Sequence, residues 1–420
     1  MTTAISQDTE KFLTDFHETW QFGATENNGV DRQAGTADHG KIRDWFTARA
    51  KEEGFEVRVD SIGNVFALLT FDDSKDYVLT GSHLDSQPLG GRFGGCFGVI
   101  AAFHAALELK KQVESGELTP EYNLAVVDWF NEEGARFAPS IMGSSVMCGF
   151  FDREEMLAVQ DPKGITVKEA LESIGYLGTD EPPVPAAYAE IHIEQGRLLE
   201  RHETAIGAVT QSWYTQKLYV KVQGEQSHTG ATIMSDRHDA LPAAALLVLK
   251  TEQVVEEFEE EQIVTSVGQF DVEPNSPIVV PREVNLVIDL RAHRREDVEK
   301  ARQILVDYCD EVARARDISI TPVDFDIRDH QRYPEDGVVL TEKAAANTGI
   351  SCMRIETMAG HDSVPLNRKV PTVMTFVPSE GGVSHCEREF TADEDLVQGL
   401  IVHTDIVSRL LTGELDHLKS

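Results

Sequence analysis

The first half of the chain alternates apolar runs with amphipathic segments, a pattern typical of strands followed by helices. KIRDWFTARAKEEG predicts a helix that ends at Gly54, and FEVRVDSIGNVFALL predicts two strands around a turn. DYVLTGSH, YNLAVVDWF and YAEIHIEQG predict buried strands, and GVIAAFHAALELKKQ predicts a second helix. Strands that alternate with helices favour an α/β fold with a largely parallel sheet, in which ligands bind where strands end.

The pattern changes near Gly207. WYTQKLYVKVQG and EVNLVIDLRAH alternate with period two, whereas PAAALLVLKTEQVVEEFEEE and REDVEKARQILVDYCDEVARARD predict helices. These segments favour a smaller α+β domain over residues 208–328. After Asp329, KVPTVMTFVPS predicts another strand of the first sheet. We therefore expect one domain built from residues 1–207 and 329–420, with the smaller domain inserted into it.

Length and charge narrow the classes of partner. A chain of 420 residues suits two domains, and its formal net charge of −34 opposes binding to nucleic acid or to an anionic membrane. We attribute the charge to a solvated acidic surface, with adaptation to high salt as the alternative. The densest acidic cluster, TEQVVEEFEEEQ, predicts the exposed face of a helix and carries no chemistry.

The N-terminal segment MTTAISQDTEKF is polar and acidic, which is not the pattern of a signal peptide. The apolar runs are too short to predict a membrane span. Five scattered cysteines fit a reduced cytoplasm better than a disulfide framework, so we expect a cytoplasmic protein.

Candidate metal ligands stand at strand ends or in loops. A single histidine at a strand end is usually structural, but several such positions in one α/β chain favour a site for zinc, manganese or nickel. Asp85, two residues after His83, is predicted to orient the His83 ring without binding the metal itself. The candidate ligands are His83, Glu132 or Glu133, His192 and His385.

The adjacent carboxylates Glu132 and Glu133 are expected to differ in role, because neighbouring residues on a loop point in different directions. One can bind metal while the other holds a water molecule and moves its proton. The alternative is an ordinary exposed acidic turn. The buried strand before the pair and the GARF segment after it favour the functional interpretation.

Several motifs together resemble the amidase, hydantoinase/carbamoylase family, a group of peptidase M20-like dinuclear metallohydrolases. The resemblance covers about Gly29 to Leu411, nearly the whole chain. Its most specific parts are NEEGARF and HIEQG. The motifs are GSHLDSQPLGGRF, NEEGARFAPSIMGSS, HIEQGRLLE, SHTGATIMSDRHDA, AGHDS and GGVSH.

The resemblance implies a zinc-peptidase-like catalytic domain and a smaller lid domain that also forms a homodimer. It implies two divalent metal ions, zinc or else manganese, cobalt or nickel, with Glu132 as general acid and base and His228 polarising the scissile carbonyl. It pairs the metal ligands as His83 with His192 and Glu133 with His385. The implied substrate contacts are Gln195, Lys217, Asn275 and Arg291. For Arg291, a surface ion pair at a strand end is the alternative.

One expected ligand is missing from the sequence. The family pattern after the glycines is G-G-x-x-D-G, and its aspartate bridges both metals, but this chain has Gly94 at that position. Each metal would keep only two protein ligands, whereas catalytic zinc normally has three plus water. Cys96 is a possible substitute, although small core packing is the favoured role for it.

Other departures concern the substrate. Ile278 replaces an asparagine of the family, which removes a hydrogen bond that would favour a carbamoyl or ureido group. Lys217 replaces an arginine and lacks its bidentate fork. Arg197 replaces a usual proline, and SHCEREF replaces the usual SHxPxEW.

The sequence thus predicts a metal-dependent amidohydrolase that cleaves a linear amide or ureido bond of a small carboxylate-bearing molecule, with an N-carbamoyl-amino acid as the favoured substrate. Two alternatives stay open. One is an impaired or inactive homologue that keeps the fold and the dimer, and the other is a hydrolase of dipeptidase or aminoacylase type.

Overall fold

The computed structural model describes residues 7–418, and these form two compact units. One comprises the described residues up to Gln211 and those from Arg332 onward, and the other is Ser212–Gln331. None of the helices within residues 7–418 has the length and the apolar composition that a membrane crossing requires.

The strands and helices are numbered in chain order. The strands are β1 (Glu56–Val59), β2 (Val65–Leu69), β3 (Tyr77–His83), β4 (Asn123–Trp129), β5 (Pro185–Ile193), β6 (Ile206–Ser212), β7 (Tyr214–Gln223), β8 (Ser227–His228), β9 (Ile263–Glu273), β10 (Val279–Val280), β11 (Glu283–Ala292), β12 (Ser319–Arg328), β13 (Cys352–Thr357) and β14 (Thr372–Val377). The helices are α1 (Gln7–Glu18), α2 (Ala37–Glu52), α3 (Gly94–Ser115), α4 (Met142–Met147), α5 (Arg153–Ala158), α6 (Val167–Ile174), α7 (Leu198–Arg201), α8 (Ala240–Gln253), α9 (Arg295–Arg316), α10 (Glu335–Thr348), α11 (Ser363–Asn367) and α12 (Asp393–Leu411).

The first unit is built around an eight-stranded sheet in the order β1-β2-β4-β3-β5-β14-β6-β13. Its central neighbours β4, β3, β5 and β14 run parallel. The pairs β1–β2, β2–β4 and β14–β6 are antiparallel. The predicted α/β fold with a mostly parallel centre is therefore confirmed, and β14 lies beside β5 in the first sheet as its apolar run predicts.

Helix α3 packs against β3, β5 and α12. Its first half is almost entirely buried, from Gly95 to Ala106, because small and apolar residues occupy nearly every position there. The helix ends at Ser115, where Gly116 adopts a left-handed conformation with φ 78° that glycine tolerates best. Gly94 is the first residue of this helix, directly after the glycine-rich loop that follows β3.

The second unit contains a four-stranded antiparallel sheet in the order β12-β7-β11-β9. Helices α8 and α9 both pack against this sheet, and one apolar cluster forms the core of the unit. Buried and half-buried residues alternate along β11, as its period-two sequence predicts. A short separate pair, β8 with β10, places His228 opposite Val279.

The acidic segment after α8 differs from its prediction. Helix α8 ends at Gln253, and a short 3₁₀ turn, Val254–Glu257, follows it, so TEQVVEEFEEEQ is not one continuous helical face. Like charges three and four residues apart destabilise a helix, and this segment holds several glutamates in a row. Val254, the first residue of this turn, is fully buried in the core of the second unit.

Candidate functional site

Two histidines of the first unit lie together at the ends of parallel strands. His83 is the last residue of β3, and His192 is the penultimate residue of β5. Both side chains are buried, and their rings are stacked with centroids 5.9 Å apart and an interplanar angle of 25°. The parallel pairing of β3 with β5 thus brings together the two residues that the sequence predicts as one metal pair.

Main-chain carbonyls determine which nitrogen of each ring carries hydrogen. Nδ1 of His83 lies 3.0 Å from the carbonyl oxygen of Asp85, and Nδ1 of His192 lies 2.9 Å from that of Ile193. Because a carbonyl only accepts, each Nδ1 donates, so in the neutral form of each ring Nε2 carries the lone pair. This is the tautomer that a metal-binding histidine requires.

The Asp85 carboxylate contacts the turn after β4 as well as the His83 ring. Its Oδ1 is 3.5 Å from Nδ1 of His83, farther than the carbonyl oxygen of the same residue. Its two oxygens accept from the main-chain N–H groups of Glu132 and Glu133, each at 3.3 Å. Asp85 therefore connects the first histidine to the acidic pair, and its main-chain oxygen makes the shorter contact with the ring.

The acidic pair lies on a tight turn that begins at Asn131. This residue has φ 55°, a left-handed conformation that asparagine tolerates, and its side chain donates to the carbonyls of Phe137 and Pro139. Glu132 is buried, and its Oε2 lies 3.4 Å from Nε2 of His83. Oε2 of Glu133 lies 3.4 Å from Nε2 of His385. Each carboxylate thus faces a different histidine.

Several acidic groups of the site are buried, and burial raises their pKa values. Burial, and then the nearby Glu133 and Asp85, raises the pKa of Glu132 to about 8. Burial also raises the pKa of Glu190 to about 7. Burial by itself lowers the pKa of His83, but Glu132 and Asp85 outweigh it and raise that pKa well above the usual range. A bound cation would instead stabilise the ionised form of these carboxyl groups.

Sequence reasoning missed part of this cluster. Glu190 accepts from the Ser82 hydroxyl at 2.8 Å and from the Ser363 N–H at 2.8 Å. Asp362 is fully buried beside these groups, and burial together with Glu132 and Glu190 raises its pKa well above the usual range. The available signals were the position of Glu190 on the same strand face as His192 and the AGHDS motif.

The position of the missing ligand is open space. A Cβ atom built on Gly94 would have nothing within 4 Å, and no left-handed φ restricts the residue. A cavity of about 10 Å³, roughly the space that one water molecule needs, is lined by Gly94, Asp85, Glu133 and His385 among others.

Cys96 is buried in the main apolar cluster and donates to the Thr19 hydroxyl at 3.3 Å, which matches its favoured packing role.

The donor set can be compared with what divalent metals need. The imidazole nitrogens and the carboxylates are ligand types that suit divalent cations, which His83 with His192 and Glu133 with His385 would hold as two pairs. However, no group of three histidine, cysteine or acidic side chains within residues 7–418 is placed to hold one ion. The residues present therefore fit two incomplete pairs and do not fit a complete two-ion centre.

Gln195 lies close to the second pair. Its backbone is left-handed with φ 61°, and its Nε2 donates to the Ser384 hydroxyl at 3.1 Å. Its Oε1 is buried and has no hydrogen-bond partner among the described residues. An unpaired carbonyl oxygen of this kind can accept a hydrogen bond from an N–H group of a ligand.

The predicted catalytic His228 and the other predicted substrate contacts lie in the second unit. Nδ1 of His228 accepts from the main-chain N–H groups of Gly230 and Ala231 at 3.0 and 3.1 Å, so Nε2 carries the hydrogen. Asn275 has φ 51° in the loop between β9 and β10.

Lys217 pairs with Asp326 at 2.9 Å. Both oxygens of Asp289 accept from Arg291, at 3.1 and 2.8 Å, so the ion pair considered for Arg291 is present.

A model of one protein family matches residues 79–409, which include every candidate ligand of the first unit and all four positions of the second. That family is peptidase family M20/M25/M40. The chain belongs to it.

Relatives of the M20 chain cover almost its whole length. A hydrolase of Mycolicibacterium smegmatis is 47% identical over 97% of this chain and 94% of its own length. The allantoate amidohydrolase of Bacillus subtilis is 32% identical over 95% and 97%, respectively. A crystal structure of an amidase of the hydantoinase/carbamoylase family from Burkholderia vietnamiensis is 33% identical, with a TM-score of 0.89 over 97% of this chain and 99% of that one. The resemblance predicted from the motifs is confirmed.

Proposed function

We propose that this M20 chain is an amidohydrolase that cleaves a linear amide or ureido C–N bond of a small carboxylate-bearing molecule, with an N-carbamoyl-amino acid as the favoured substrate. The observation that carries the proposal is the buried Glu132 carboxylate, 3.4 Å from His83 and adjacent to Glu133 on the turn after β4. The relatives named as allantoate and N-carbamoyl-L-amino-acid amidohydrolases support the same reaction class.

Glu132 is proposed as the group that moves the proton. Burial raises its pKa toward neutral pH, where a carboxylate can both accept and donate a proton during one reaction cycle. Glu132 would take a proton from the water that attacks the carbonyl carbon and pass it to the leaving nitrogen as the C–N bond breaks. An N-carbamoyl substrate would then give an amino acid, carbon dioxide and ammonia.

His228 is proposed as the group that polarises the scissile carbonyl. Nδ1 accepts hydrogen bonds from two main-chain N–H groups, so the hydrogen on Nε2 can be donated to the carbonyl oxygen of a substrate. This hydrogen bond strengthens as negative charge develops on that oxygen. Divalent cations held by the two donor pairs would supply Lewis-acid stabilisation of the same charge. Gln195 and Asn275 are proposed to hold the amide or ureido group.

A panel of substrates tests this proposal. Purified protein supplemented with zinc, manganese, cobalt or nickel should release ammonia from N-carbamoyl-amino acids or allantoate faster than it releases acid from N-acyl-amino acids. Ammonia can be measured with a coupled enzyme assay. Faster cleavage of N-acyl-amino acids or dipeptides would support the aminoacylase-type alternative instead.

Arg291 is proposed to bind the substrate carboxylate, with Lys217 as a weaker second cation. Replacing Arg291 with alanine should raise KM by roughly one to two orders of magnitude with little change in kcat, because a charge-assisted hydrogen bond is worth about 1.5–3 kcal/mol. Steady-state kinetics on a carboxylate substrate measure the change.

Arg302 provides the matched control for that experiment. It also makes a bidentate pair within the second unit, to Asp324 at 2.6 and 2.7 Å, and it has no proposed role in binding. Arg302→Ala should leave KM unchanged. Equal effects of the two substitutions would show that loss of an ion pair within the second unit, and not loss of substrate binding, raises KM.

We also propose a homodimer formed through residues 208–328. Strands β9 and β12 are the edges of the four-stranded sheet, and edge strands can pair with a second chain. Exposed apolar residues lie on both strands, including Phe270 and Phe325. Light scattering at micromolar concentration and low salt should give about twice the 46.6 kDa chain mass. A monomeric mass would contradict the proposal.

A second candidate function is favoured by Gly94. Because no three-ligand group is present among the described residues, the chain is also consistent with a homologue that keeps the fold and hydrolyses family substrates slowly or not at all. Elemental analysis separates the two candidates. A metal content near two per chain supports a working centre, and a content near zero supports the impaired form.

A further inference from the structure

A buried carboxylate outside the predicted site connects two segments of that site. Glu389 is only 4% exposed, and it lies four residues after His385. Its Oε1 accepts from the main-chain N–H groups of Phe93 and Gly94, each at 3.1 Å. Its Oε2 accepts from the Ser384 hydroxyl at 2.8 Å and from the His385 N–H at 3.2 Å. Four donors therefore surround one carboxylate.

The first pair of donors is the start of α3. Phe93 precedes the helix and Gly94 is its first residue, so their N–H groups have no partner within the helix itself. The helix has 22 residues, and a negative charge at its N-terminus is stabilised by the aligned peptide dipoles. The glycine-rich loop passes directly over the carboxylate, because a Cβ on Gly91 would overlap Glu389.

The second pair of donors belongs to the loop that presents His385. This residue has φ 56°, a conformation that is uncommon for a residue other than glycine and that the surroundings must hold in place. The Ser384 hydroxyl, which donates to Glu389, also accepts from Gln195 at 3.1 Å. The same carboxylate thus supports two residues to which the proposed function gives roles.

We propose that Glu389 is a positioning residue that fixes the His385 loop against the start of α3, and so keeps His385 beside Glu133. Four protein donors already occupy the Glu389 carboxylate, so we assign it no contact with substrate. The part that concerns catalysis rests on the proposed function, whereas the connection between the two segments does not.

Glutamine at position 389 separates the two halves of the contact. Its single amide oxygen can keep the N–H groups of Phe93 and Gly94, and its amide nitrogen can donate to the Ser384 hydroxyl. It cannot accept from the His385 N–H, because an NH₂ group has no lone pair to offer. Glu389→Gln should therefore free the His385 segment alone, and Glu389→Ala should free both segments.

Amide hydrogen exchange of the full chain measures this difference without any substrate. In Glu389→Gln, exchange in residues 383–390 should become about tenfold faster, since one net hydrogen bond changes an opening equilibrium by roughly that factor, while residues 92–98 stay protected. Glu387→Gln is the matched control, because Glu387 lies in the same loop but accepts from Thr25 and Asn27 instead. The control should leave residues 92–98 protected and should raise exchange in residues 383–390 by less than Glu389→Gln does.

Kinetics then test the positioning role. In the most active form of the chain, Glu389→Gln should lower kcat by about tenfold or more with KM changed by less than about threefold, since a displaced His385 affects the reacting geometry. Unchanged exchange in both glutamine and alanine variants would overturn the proposal, as would equal effects from Glu387→Gln. If no form of the chain hydrolyses any substrate, the proposed function fails, and the exchange data still decide whether Glu389 connects the two segments.

Discussion

Replacing Gly94 with aspartate is expected to raise the content of bound divalent metal toward two ions per chain and to increase hydrolysis by orders of magnitude. The new carboxylate would enter open space, because a Cβ at this position has nothing within 4 Å and the backbone is not left-handed. A bridging anion offsets the repulsion between two nearby cations and supplies each with a third protein ligand. Elemental analysis and the ammonia assay measure the two effects.

Gly94→Asn is the matched control for shape. Asparagine fills the same space as aspartate but carries no charge, so it should raise neither metal content nor activity to a comparable degree. If the parent chain is already active and the aspartate variant gains neither metal nor activity, the missing carboxylate is not a defect. The site would then be a working variant with an unrecognised third ligand.

Replacing Glu132 with glutamine is expected to lower kcat by about 10²–10⁴-fold in whichever form of the chain, parent or Gly94→Asp, is more active. Glutamine has nearly the same shape, but it can neither accept the proton of the attacking water nor deliver one to the leaving nitrogen. KM and metal content should change little, because Glu132 is proposed to act on protons and not to bind metal.

Glu133→Gln provides the contrast, because that residue is proposed to bind metal with His385. Its substitution should lower metal occupancy along with activity, whereas Glu132→Gln should lower activity alone. Metal analysis of both variants, performed beside the kinetics, separates these outcomes. A loss of metal in Glu132→Gln equal to that in Glu133→Gln would contradict the division of roles between the two carboxylates.

The apolar runs predicted the parallel centre of the sheet, whereas the pairing of His83 with His192 was implied by the family resemblance. The parallel sheet could be predicted because each apolar run is long enough for a buried strand, and parallel neighbours end at the same edge of the sheet. The family motifs then paired Glu133 with His385, although these residues lie far apart in the chain. In the structure, 3.4 Å separates their nearest nitrogen and oxygen atoms.

The contacts of Asp85 and Glu389 could not be predicted in this way. Asp85 was expected to contact the His83 ring, but the acceptance by its carboxylate of two N–H groups from the turn after β4 was not expected. Glu389 contacts main-chain groups almost 300 residues earlier in the chain. Hydrophobic periodicity carries information about the faces of strands and helices, but it does not encode which loop backbone a polar side chain will reach. The left-handed residues Asn131, Gln195 and His385 belong to the same class.

The strand order of the first unit has a consequence for the order of folding during synthesis. Strand β14 lies between β5 and β6, yet it is made only after the whole second unit has been translated. The second unit holds all strands of its four-stranded sheet within Ser212–Gln331, so it can fold as soon as that stretch is available. Until then β5 lacks a neighbour on one side, and its unpaired edge is exposed to pairing with other chains. The growing chain is therefore most prone to aggregate after β5 is made and before β14 is added.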